Sequence, residues 1–201
     1  MRAVALAGLA VTLAACFVDA PPPRTAPPPP APDVPPPAPD PEAGRAPTPF
    51  TAAELRAATP EGRSLTFLVE GPGKAPFQKR YRFLAVDDER ATVATELLDD
   101  DGKVFGKPEM VSSTWDELRM QASWPKEQVD ITDVTAETPA GSFACRRYVV
   151  TEKTEDGEKR TTALYARSLP GPPVELLVEV DGKLQVSMTL LAFAPGFEVS
   201  P

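Results

Sequence analysis

Few residues in this chain could do chemistry. Its 201 residues include 29 acidic and 21 basic side chains but no histidine. Ser-His-Asp and Cys-His catalysis, and every zinc site that needs imidazole, are therefore excluded. Gly141-Ser142 lacks the flanking pattern of a nucleophile elbow, and no phosphate-binding glycine loop is present. Acidic residues cluster at Asp87-Asp88-Glu89, Asp99-Asp100-Asp101 and Glu155-Asp156, which raises calcium binding or carboxylate catalysis. The Asp99 cluster lacks the alternating ligand spacing and closing glutamate of an EF-hand loop. All three fall where turns are expected, and aspartate is favoured there because its side chain bonds the local backbone. Solvated turns are the expectation. Arg80, Arg82, Arg146 and Arg147 could line an anion groove or form the solvent face of a sheet. No catalytic residue, metal ligand or cofactor emerges from these patterns.

The remaining reactive groups are two thiols, Cys16 and Cys145. Cys16 follows a basic residue, Arg2, and a short apolar run over residues 3–11, then Thr12 and Leu13-Ala14-Ala15. A positively charged start followed by an apolar stretch is the pattern of a secretory signal. About 9 apolar residues make a helix of about 14 Å, half of the ~30 Å needed to span a bilayer. Leu13, Ala14, Ala15 and Cys16 resemble the lipobox of bacterial lipoproteins. The resemblance covers residues 1–16. It implies cleavage before Cys16, a diacylglyceryl thioether on its sulfur, and acylation of the new amine by a chain such as palmitate. One acyl chain holds a membrane only marginally, whereas two or more anchor stably. Phe17 stands where an aspartate retains enteric lipoproteins in the inner membrane, so the analogy points to the outer membrane. With Cys16 lipidated, Cys145 is the only thiol left, and no intramolecular disulfide can form. Its place in an expected strand beside Phe143 favours burial.

Residues 16–49 read as a tether. Positions 21–49 hold 15 of the 26 prolines, with alanine and a few charges between them. Such a segment has little to bury and favours extended polyproline II. Fully extended, it would reach on the order of 100 Å at ~3.1 Å per residue. A spacer lifting the following domain off the membrane is the expected role.

Residues 50–201 are long enough for one domain with its own core. Of the net charge of −8, this domain carries −7, since Arg2 contributes +1 and the tether −2. That acidity argues against nucleic acid, whose phosphates need Lys/Arg neutralisation, and against electrostatic adhesion to anionic lipid. Thr51 and Glu54 form a capping box, and Phe50 with Leu55 fits a hydrophobic staple, so a short helix is expected over 52–58, ending before Pro60. Thr114 and Glu117 repeat the box; a second helix over about 114–124 puts Trp115, Leu118 and Ala122 on one face, packed on the sheet, with Pro125 ending it. Trp115 and Trp124 are expected in or beside the core.

Everything else reads as strand: 65–70, 77–86, 91–98, 103–111, 129–136, 142–152, 160–166, 174–180 and 184–193, rich in aromatic and β-branched residues. Asp-Gly turns at Gly102, Gly157 and Gly182 make successive strands antiparallel. The fold class is mainly β (α+β): an antiparallel meander in a curved sheet or half-barrel with two short helices. At Gly182 the apolar alternation selects a three-residue loop, with Val178 opposite Leu184, Leu176 opposite Val186, and Gly182 left-handed in a bulge. The same arithmetic at Gly102 pairs Leu98 with Val104 and Asp99 with Lys103. Near Gly157 the register is ambiguous, because the two weighed alternatives set like charges together. Over 142–152, Phe143 and Cys145 have one parity and Tyr148 and Val150 the other, which requires either two covered faces or a bulge at Arg146-Arg147. Pro170-Gly171 is expected at the corners of a type II turn.

Three readings follow. The first is a non-catalytic, lipid-anchored envelope protein that binds an envelope partner or supports the envelope. The second is a carrier whose curved sheet cups an apolar ligand or lipid, similar in element order to lipoprotein-carrier half-barrels. The third is a carboxylate-based hydrolase. An apolar pocket beneath the second helix favours the carrier, a filled core the first reading, and two close carboxylates in a cleft the third.

Overall fold

The computed structural model describes residues 43–99 and 101–196. Leu13, Ala14, Ala15, Cys16, the tether through residue 42, and Asp100 lie outside the described residues. Among those described, the elements run α1 (Ala52–Ala57), β1 (Ser64–Glu70), β2 (Phe77–Val86), β3 (Arg90–Leu98), β4 (Val104–Thr114), α2 (Trp115–Met120), a 3-10 turn (Lys126–Gln128), β5 (Val129–Thr138), β6 (Gly141–Thr154), β7 (Gly157–Ala166), β8 (Glu175–Val180) and β9 (Lys183–Ala194). The strands form one open, curved antiparallel sheet, as the sequence predicts.

Their order is not a simple meander. It is β4-β3-β2-β1-β9-β8-β7-β6-β5, so the earliest strand pairs with the latest at the centre of the sheet. Burial explains this arrangement. Leu65 and Phe67 of β1 and Leu190 of β9 are fully buried, while β4 and β5 are mostly exposed and occupy the edges. The link from β4 to β5 must therefore pass from one edge of the sheet to the other. It does so through α2 and the 3-10 turn.

Both capping boxes are present, with Glu54 and Glu117 each accepting from the backbone N–H of its threonine. The second helix is shorter than expected and ends at Met120. Its continuation is diverted because residues 44–46 take the free backbone groups. Ala46 N–H donates to the Trp124 carbonyl, Lys126 N–H to the Gly44 carbonyl, and the Arg45 guanidinium to the Ser123 carbonyl. Residues just before Phe50, assigned to the tether by composition, thus lie against the domain. Tyr148 adds a further bond by donating its hydroxyl to the Pro47 carbonyl.

The turn registers divide. At Gly102 (φ +77), Leu98 pairs with Val104 and Asp99 N–H bonds Lys103, as expected. At Gly182 (φ +72) the expected three-residue loop is absent. Val180 pairs with Lys183, and Asp181 (φ +46) and Gly182 form a two-residue turn with both central residues left-handed. The odd residue is absorbed one step later in a bulge between Val178 and Glu179, so Val178 faces Val186 and Leu176 faces Met188. The apolar pairing is kept, displaced by two residues. Near Gly157 a third register occurs, Lys153 with Glu158 and Glu152 with Lys159, which sets opposite charges together. A side chain at Gly157 would be strained by its φ of +122 and would have to displace the Asp181 carboxylate.

The β6 register runs unbroken through Arg146 and Arg147, so no bulge lies there. Phe143 and Cys145 therefore point to the face opposite Tyr148 and Val150, and all four are buried. At Gly171, φ is +146 rather than the roughly +80 of a type II corner. The Pro170 carbonyl accepts from Arg63 instead.

Candidate functional site

The inner face of the curved sheet is only partly filled. Cα partners in a sheet share a face, and three such pairs, Leu176–Met188, Tyr81–Thr95 and Val93–Val111, look into one cavity of about 450 Å³. The helical side supplies Leu55 from α1 and Trp115 and Leu118 from α2, and the crossover adds Ala122 and Trp124. Each arrives for a local reason. The two capping boxes fix where the helices start, and Trp115 is held by its indole N–H on the Asp87 carbonyl at 3.0 Å. Trp115 and Leu118 share the α2 face expected from helical spacing, whereas Ala122, expected on the same helix, lies beyond its end in the crossover.

One end of the cavity is bounded by an aromatic cluster. Tyr148 and Tyr165 meet edge to face at 5.5 Å, Trp124 lies 5.6 Å from Tyr148, and Phe50 lies 6.2 Å from Tyr165. Such pairs stabilise by about 0.5–1.5 kcal/mol each beyond their burial and hold ring orientations firmly. Tyr165 is buried, and desolvation pushes its phenol well above the usual tyrosine range. It stays neutral and serves as wall. Among the described residues no carboxylate lines the cavity, and its one charged lining residue is Arg119 of α2, ion-paired to Asp116 at 3.2 Å.

The other candidate residues lie elsewhere. Asp87 Oδ1 accepts from the backbone of Glu89 and Arg90, and Asp99 Oδ1 from Asp101 and Lys103, the turn role expected of both. The four arginines do not converge. Arg80 and Arg82 grip the buried carboxylate of Glu96, while Arg147 bonds Thr132 and lies on the opposite face of β6 from Arg146. Glu175 is raised by burial, yet no second carboxylate contributes to its shift. Cys145 is buried and free, and burial raises its thiol pKa.

Sequence reasoning did not single out Arg63 or Thr59, and gave Gly171 only a turn role. The Arg63 guanidinium is buried, donating to Thr59 Oγ1 at 2.9 Å and to the Pro170 carbonyl at 2.7 Å. Thr59 and Gly171 both line the cavity. A lone arginine in a Pro-Glu-Gly-Arg turn carries no local signal of this, because the enclosing residues come from positions 59 and 170–171.

No family model matches this chain, and no curated protein matches it significantly. A few solved structures resemble it at a distance. A candidate lipoprotein from Parabacteroides distasonis matches 68% of this chain and 96% of its own, at 11% identity and a TM-score of 0.45. MucB in its complex with MucA from Pseudomonas aeruginosa matches 70% of this chain at 15% identity and a TM-score of 0.47. MucB solved alone gives 13% identity and the same score. The chain spans little more than half the length of MucB, at 53% and 58% in the two structures. Likenesses this distant leave function to be argued from the site itself. Among the described residues, no helix is long and apolar enough to cross a membrane.

Proposed function

We propose that this protein is a non-catalytic lipoprotein of the cell envelope whose β-domain carries an apolar ligand in the cavity beneath α2. The observation that carries the reading is the lining. Phe50, Tyr81, Phe83, Trp115 and Leu176 enclose a volume within the ~300–1,000 Å³ of small-molecule pockets, with few polar groups. Partner binding or envelope support alone would be served by a filled core, and hydrolysis by a pair of facing carboxylates. The cavity meets neither description. Lipidation at Cys16, with recognition through Leu13, Ala14 and Ala15, would hold the domain at the outer rather than the inner membrane.

The test fills the space. Val93 lies on a strand and faces the cavity, so Val93→Phe inserts a ring where a ligand would sit without disturbing β propensity. The wild-type domain is expected to bind the neutral fluorophore N-phenylnaphthylamine saturably, and Val93→Phe to weaken that binding at least ~10-fold, or ~1.4 kcal/mol, without lowering the melting temperature. A wild type that takes up no probe, or a variant that binds equally well, would sink the reading.

A protein partner is the second reading, favoured by one feature. The β4 edge is open and shows apolar side chains to solvent, including Phe105, Val111 and Met110, the last 64% exposed. An extended segment with alternating apolar residues would pair there by strand addition. Crosslinking in intact cells through a photoreactive residue at position 110 identifies it.

A further inference from the structure

Arg63 stands immediately before β1 and is 2% exposed. Arginine cannot shed its proton at neutral pH, so a buried guanidinium needs acceptors on all its donors or a counter-charge. Nη1 has Thr59 Oγ1 and the Pro170 carbonyl. Nη2 is buried and has no partner among the described residues, and no carboxylate there is ion-paired to it. Desolvation alone pulls the Arg63 pKa down to about 10, so the charge persists at neutral pH. Arg63 is not itself a lining residue of the cavity, but its neighbours are. Thr59 and Gly171 both line the cavity, and a Cβ at position 171 would lie 3.5 Å from Nη2. Gly171, held at φ +146, presents no side chain to cover the guanidinium.

We infer that the cavity takes an amphipath, an apolar chain along its aromatic and aliphatic lining with an acidic oxygen of the head group accepting from Nη2 of Arg63 at the Thr59–Gly171 wall. This rests on the apolar-ligand reading and specifies its chemistry. A wholly neutral hydrocarbon would leave the buried donor unpaired, at the full cost of its desolvation. A cationic head would meet like charge. A carboxylate and a phosphate monoester share the required oxygen.

The experiment compares chains of equal length, with displacement of N-phenylnaphthylamine by dodecanoate, dodecyl phosphate and dodecanol measured at pH 7.5. Dodecanoate, dodecyl phosphate or both should displace the probe at concentrations at least ~10-fold below dodecanol, and which of them does so identifies the head group. In Arg63→Met the preference should collapse to within ~2-fold, and Arg63→Lys should retain part of it. The wild-type comparison needs no variant, so it stands even where Arg63→Met fails to fold. Equal displacement by acid and alcohol in the wild type overturns the inference while leaving the carrier reading intact. So does a folded Arg63→Met that keeps the preference. Failure of the wild type to bind the probe removes the carrier reading itself.

Discussion

Glu96 is 2% exposed, and each of its carboxylate oxygens is taken by an arginine, Arg80 Nε at 2.6 Å and Arg82 Nη2 at 2.9 Å. The arginines reach solvent and the glutamate does not, so the cost of breaking the triad falls on the side that keeps a buried charge. Glu96→Ala frees two cations that water can solvate. We expect a loss of about 1–3 kcal/mol, read from urea denaturation with an unchanged m-value; a change within about 0.5 kcal/mol would mean that the triad is ornamental. Cys145, 1% exposed with its thiol pKa raised by burial, should resist iodoacetamide in the native state and react promptly in denaturant. Native labelling at the rate of a free thiol would contradict its placement. Cys145 and the turn aspartates were legible from sequence because their reasons are local. Arg63 was not, because its guanidinium is enclosed in part by residues more than a hundred positions away.

Each short helix depends on its capping box. Thr114→Ala removes the acceptor for Glu117 N–H and should cost about 1 kcal/mol in thermal unfolding. The Glu54 and Glu117 pKa values lie below the ordinary carboxylate value, chiefly through the backbone N–H groups of Thr51 and Thr114. A carboxylate whose folded pKa is depressed stabilises above its unfolded value and loses that contribution as pH falls through the folded one. The melting-temperature gap between wild type and Glu117→Gln should therefore be present at neutral pH and shrink as the pH falls below the ordinary glutamate value of 4.5. A gap that persists in acid would rule out the charged bond as its source. Helix starts and nearly all strand spans could be read from sequence, since caps, alternation and Asp-Gly turns act over a few residues. Register was read less well. Around Gly182 the hairpin placed its odd residue in a bulge rather than in the loop, and either solution preserves the buried face.

At the scale of the molecule, the anchor and the cavity make one prediction each, and the cavity's has been given. If Cys16 carries the lipid, Cys16→Ser should move the protein from the membrane fraction to the soluble periplasm and abolish incorporation of labelled fatty acid. A variant that still partitions with membranes would discard the lipobox reading. The cavity itself was invisible to sequence. Its lining is drawn from two helices, the crossover and strands from both halves of the sheet, and each residue looks like ordinary core until the sheet's curvature leaves space between them.

The partnership of β1 with β9 has a consequence for how the chain comes together. Everything through β4 can form only half a sheet, with its most apolar edge unprotected, until β9 arrives, more than a hundred positions after β1. Loop-closure entropy opposes that meeting, and no local turn assists it. A nascent chain of this topology cannot join the two halves of its sheet until β9 is available.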